Sequence, residues 1–156
     1  MDTVTHSMTG FLMGASAARK KDNLYAALLT GVLASVLLDA DSLLQVWDYG
    51  LYVRYHRLFT HNLPVAPLFA LLASLPAWRW VRDRYLFYYL IAFSSILVHL
   101  IMDMVCSWPL LLFYPFSKKD FALNWVGFTS NTVLLTVCVL AVAVLWLRHK
   151  GQGGHD

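Results

Sequence analysis

The stretch from Tyr85 to Phe113 is apolar enough to cross a bilayer, yet it carries His99 and Asp103. A lone helix in hydrocarbon keeps ionisable side chains only at high cost. Four residues apart, the two side chains project from one helical face. They must therefore meet polar partners from other segments, and that requires several helices packed around a polar centre. Composition supports this reading: 59% of the 156 residues are hydrophobic and 13% charged, too apolar for an ordinary soluble domain.

Five apolar segments follow from the hydropathy pattern. The first, Ser7 to Ala18, is short and rich in small residues, and its Gly10 and Gly14 allow close helix approach. The second runs from Asn23 to Gln45, apolar until Asp39 and Asp41. A polar loop, Val46 to Asn62, leads to a third segment, Leu63 to Trp80, with Asn62 as cap and Pro64 as its start. The fourth is Tyr85 to Ser107 and the fifth Thr129 to Leu147. The expected fold is all-α: a polytopic membrane bundle of four transmembrane helices plus a short N-terminal membrane-embedded helix. Residues 1–147 form one domain, and 148–156 a disordered cytoplasmic tail whose His149 and His155 are not counted as ligands. Cys106 and Cys138 form no CxxC pair and read as small packing residues.

The basic residues set the topology. Arg19, Lys20 and Lys21, then Arg79, Arg82 and Arg84, then Arg148 and Lys150, fall at alternate ends of successive segments and so share one side. The positive-inside rule makes that side cytoplasmic, with the N-terminus outside and the C-terminus inside. No Lys or Arg precedes the first apolar stretch, so a cleavable export signal is not expected. The net charge of +3 is spread over these short segments, which argues against a nucleic-acid partner. The same topology brings His6, Asp39, Asp41, His56, His61, His99 and Asp103 to the outer side. Trp47, Tyr49, Tyr52, Tyr55, Trp108 and Tyr114 suit an aromatic belt there, and Trp78, Trp80 and Trp146 one on the inner side.

These seven residues are the candidate metal ligands. Mixed imidazole and carboxylate donors suit Zn²⁺ best, with Mn²⁺ or Fe as options, rather than an all-oxygen Ca²⁺ site. One or two ions fit that ligand count, and a two-ion site would suit displacement at phosphorus. Asp39 and Asp41 cannot point the same way from an ideal helix. Either the helix unwinds there, or one carboxylate ligates while the other orients a histidine. Asp41, Asp103 and His56 are the candidate catalytic groups. Arg57, Lys118 and Lys119 are the candidate holders of an anionic headgroup.

The chain resembles the YdjM-like family of LexA-binding, inner-membrane-associated metal-dependent hydrolases. The elements that carry the likeness are Asp2-Thr3-Val4-Thr5-His6 with Gly10 and Gly14, then Asp39-x-Asp41, then His56-Arg57-x-x-Thr60-His61. His99-Leu100-x-x-Asp103 and Pro115-Phe116 follow in family order. Leu58, Asn62 and Val98 depart from the residues usual at their positions. The resemblance implies metal or catalytic roles for the seven residues above. The Thr-His and His-x-x-x-Asp elements are also distantly similar to zinc-dependent phospholipases C. The expected function is a hydrolase of the bacterial inner membrane, cleaving a phosphoester in a lipid or lipid-linked substrate from the periplasmic side. Its partners would be the bilayer and that amphiphile, and a homodimer stays open. A divalent-metal transporter, which needs ligands across the whole membrane, and a bundle stapled by a structural metal are the competing readings.

Overall fold

The computed structural model describes residues 3–18, 21–56, 58–82, 84–106 and 109–125, with single positions at 139 and 141. The secondary structure there is helical: α1 Thr3–Ala17, α2 Lys21–Leu38, a 3₁₀ turn Asp39–Leu43, α3 Leu44–Trp47, α4 Tyr49–Tyr55, α5 Ala66–Val81 and α6 Tyr85–Val105. One isolated bridge, Leu110 to Phe121, is the β-type pairing among these residues. Apart from positions 139 and 141, the fifth predicted segment lies outside the described residues, as do the C-terminal tail, Arg57, Trp108, Trp146 and Cys138.

Among the described residues, two helical runs are long and apolar enough to cross a membrane, Asn23–Trp47 and Tyr85–Val105. The first includes the 3₁₀ turn, so the chain tightens at Asp39 without breaking. Helix α1, at about 22 Å from the standard helical rise, falls short of a full hydrocarbon core. Helices α2 and α6 each pack against the other three long helices.

Helix α5 turns small residues inward and leucines outward. Its buried residues are small: Ala66, Ala70, Ala73, Ser74 and Ala77. Its exposed positions include Leu68, Leu71, Leu72 and Leu75. A soluble helix does the reverse, because water drives large apolar side chains inward. In lipid no such drive exists between helices, and small residues let backbones approach. The same logic operates between α1 and α2. A Cβ at Gly10 would collide with the Gly31 carbonyl and Ser35 Oγ, and one at Gly14 with the Ala27 carbonyl. The face expected to permit close approach is thus covered by α2 of the same chain.

Several boundaries differ from the sequence expectation. Helix α1 starts at Thr3, so His6 lies inside it. The predicted polar loop contains α4, started by Asp48, whose Oδ1 accepts from the backbone N–H groups of Gly50 and Leu51. Asn62 does cap a turn, its Oδ1 accepting from Val65 N–H, but the helix begins at Ala66 with Pro67 in its first turn. Pro64 sits in the preceding turn.

After α6 the segment 109–125 folds back over one end of the bundle. Leu110 is fully buried and pairs with Phe121, and Leu63 N–H donates to Leu112 O at 2.8 Å. Leu123 N–H donates to Met104 O at 2.8 Å. A core of Ala34, Leu38, Ala66, Ala70, Ala92, Ile96, Leu100 and Leu110 lies at this end of the bundle. Cys106 is buried, in keeping with a packing role.

Candidate metal centre

Antiparallel neighbours bring the start of α1, the end of α2, the approach to α5 and the end of α6 to the same end. Each contributes ionisable side chains. His6 comes from α1, Asp39 from the 3₁₀ turn, His61 from the stretch before α5, and His99 with Asp103 from α6. All five are buried, Asp39 the most accessible at 6%.

Their donor atoms converge. His6 Nε2 lies 3.2 Å from Asp103 Oδ1. His61 Nε2 lies 3.3 Å from Asp39 Oδ1 and 3.5 Å from Asp103 Oδ2. His99 Nε2 lies 3.6 Å from Asp39 Oδ1, 3.8 Å from Asp103 Oδ2 and 3.3 Å from His61 Nε2. The His6 and His99 rings stack at 3.5 Å. Two overlapping triads, His6–Asp39–His99 and His61–His99–Asp103, each bring one ligand atom per residue within 4.8 Å of the others.

The 3₁₀ turn separates the two aspartates, as the sequence required of any arrangement using both. Asp39 enters the cluster. Asp41 faces the next layer, with Oδ1 3.0 Å from His56 Nδ1 and Oδ2 accepting from Thr60 Oγ1 at 2.8 Å. Thr60 Oγ1 in turn lies 2.7 Å from His61 Nδ1. His56 stacks on Tyr52, its ring 5.6 Å from that of His61, and its side chain retains 16% exposure. The predicted residues therefore sort into five that converge and two, Asp41 and His56, beside them on the more open side. Thr60 is the member that ligand-type reasoning passes over, because a hydroxyl is no ligand here. Its place directly before His61 is the signal that could have found it.

Other sequence candidates fall elsewhere. Lys118 and Lys119 are exposed on segment 109–125, and no hydrogen bond or ion pair among the described residues joins them to the cluster. Lys119 Nζ lies 5.6 Å from the centre of the Phe121 ring.

The donor set fits a divalent cation. In their ligating forms, two carboxylates and three imidazoles would carry two negative charges in a site nearly closed to water. Burying such charge uncompensated is prohibitive. Asp39 Oδ2 is buried without a hydrogen-bond partner among the described residues. Such an atom costs about 1–3 kcal/mol when left unsatisfied. One divalent ion held by His6, Asp39, His61, His99 and Asp103 would cancel that charge.

Comparison with known proteins agrees with this architecture. The family model described as "YdjM inner membrane protein" matches residues 1–155. A curated relative, the "Uncharacterized protein YfhP" of Bacillus subtilis (strain 168), is 24% identical over 162 residues, covering 98% of this chain and 48% of the relative. The chain thus spans about half the length of that relative. No solved structure matches.

Proposed function

This chain belongs to the YdjM inner membrane protein family, and from that membership and the buried cluster we propose a membrane-embedded, metal-dependent hydrolase acting on a phosphoester of a lipid or lipid-linked substrate. The observation that carries the reading is the convergence of three imidazoles and two carboxylates from four separate segments, with a charge that one divalent cation balances. Zn²⁺ suits the donor types best. In this reading the chain is multi-pass, with four transmembrane helices and the short N-terminal one. The basic clusters Arg19–Lys21 and Arg79–Arg84 face the cytoplasm, and the metal centre faces the periplasmic side.

His6, Asp39, His61, His99 and Asp103 would hold the cation. When bound, it supplies Lewis acidity, neutralising phosphoryl charge and acidifying water. Asp103 contacts three imidazoles, so it serves as ligand rather than base. Asp41 accepts from His56 Nδ1–H and so makes the other ring nitrogen of His56 the basic one. His56 takes the proton from the attacking water, and Asp41 stabilises the imidazolium that results. Arg57, adjacent in sequence, supplies positive charge for an anionic headgroup, with Lys118 and Lys119 on the neighbouring segment. The distant likeness expected from the Thr60-His61 and His99-x-x-x-Asp103 elements to zinc-dependent phospholipases C, a reading of the sequence alone, motivates the choice of a phosphoester.

Transport of the metal would need further ligand sets along a path. Among the described residues the metal-capable groups share His99 and form one cluster, which favours a fixed site. The test is turnover by zinc-loaded protein in detergent against a panel of phospholipids and lipid phosphates. Cleavage that a chelator abolishes and His99→Ala lacks supports the reading. Equal turnover by His99→Ala, or none by metal-loaded wild type on the whole panel, overturns it.

A further inference from the structure

We propose that Thr60 is a positioning residue that fixes the tautomer of His61, and with it the direction in which that imidazole offers its lone pair. The geometry is a chain of three groups. Asp41 Oδ2 lies 2.8 Å from Thr60 Oγ1, which lies 2.7 Å from His61 Nδ1. An ionised carboxylate can only accept hydrogen bonds, and a hydroxyl has a single proton. That proton goes to Asp41. The Thr60 oxygen must then accept, and the donor is His61 Nδ1–H. With Nδ1 carrying the proton, a neutral ring has its lone pair on Nε2, the nitrogen that faces Asp39 Oδ1, Asp103 Oδ2 and His99 Nε2.

Asp41 thereby orders two imidazoles at once. Its Oδ1 takes His56 Nδ1 directly, and its Oδ2 reaches His61 through the hydroxyl. Direct reach to His61 is unnecessary because Thr60 bridges the gap. The consequence for metal affinity rests on the functional reading above; the tautomer does not. Outer partners that fix a ligating histidine typically contribute 10–100-fold in affinity.

The experiment reads the two separately. Full-length protein carrying ¹⁵N-histidine, in detergent and stripped of metal with a chelator, is examined by NMR, with His61→Ala to assign the ring. Wild type and Thr60→Ser are expected in the Nδ1–H form. Thr60→Val, which keeps the shape without the hydroxyl, is expected to lose the exclusive preference. Asp41→Asn, whose amide can donate to Thr60 and reverse the chain, is expected to do the same. Zn²⁺ titration should then show Thr60→Ser near wild type and Thr60→Val weakened 10–100-fold. A wild-type His61 in the Nε2–H form, or Thr60→Val unchanged in tautomer, overturns the proposal. Wild type in the Nδ1–H form that binds no divalent ion supports the role of Thr60 and sinks the metal centre instead.

Discussion

Replacing Gly10 by alanine tests whether the packing of α1 on α2 holds the metal centre together. The added methyl would sit within the contact shell of the Gly31 carbonyl oxygen and carbon and of Ser35 Oγ. Backbone cannot swing aside as a side chain can. Since heavy atoms rest at about 3.5–4.0 Å, the helices must part by roughly 1 Å. Overpacking of this kind costs about 1–3 kcal/mol. His6 lies one turn before Gly10, so the shift carries its Nε2 away from Asp103 Oδ1, now at 3.2 Å. Ligand distances tolerate only about 0.2 Å. Gly10→Ala is therefore expected to unfold at lower temperature in detergent and to bind Zn²⁺ at least tenfold more weakly. Gly50→Ala is the control, because its Cβ would meet only the Asp48 side chain, at 3.1 Å. Wild-type melting and affinity in Gly10→Ala would refute the link between this packing and the site.

Three further outcomes are expected. His61→Ala and Asp103→Ala should each lower metal content by elemental analysis while helicity by circular dichroism persists, since each removes one ligand from a set of five. Chelation should lower thermal stability, because a ligand present at a hundred times its dissociation constant contributes about 2.7 kcal/mol; identical melting with and without chelator contradicts this. Ala70→Leu, at a fully buried position, should cost about 1–3 kcal/mol in detergent unfolding, whereas Leu72→Ala on the outward face should change little.

Helices α2 and α6 were legible because apolar runs of bilayer length have few alternatives, and α6 begins at the predicted Tyr85. Helix α4 was not, since its start depends on Asp48 bonding to two backbone amides in a stretch with no apolar periodicity. The register of α5 shifted because Asn62 caps a turn that delays the helix by three residues. His6, Asp39, His61, His99 and Asp103 could be picked out because ionisable groups in apolar surroundings need partners. Their convergence follows from alternating helix direction. The division of labour between Asp39 and Asp41 depends on the 3₁₀ turn, which spacing alone leaves open. Thr60 gained its place from three-dimensional contacts with Asp41 and His61.

The most direct measurement is anomalous scattering from the protein prepared with zinc, recorded at the metal edge. The expected result is one strong peak among His6, Asp39, His61, His99 and Asp103, about 2.0–2.2 Å from its ligand atoms. A metal-replete map with no peak there, and the imidazoles and carboxylates bonded only to one another, would contradict it.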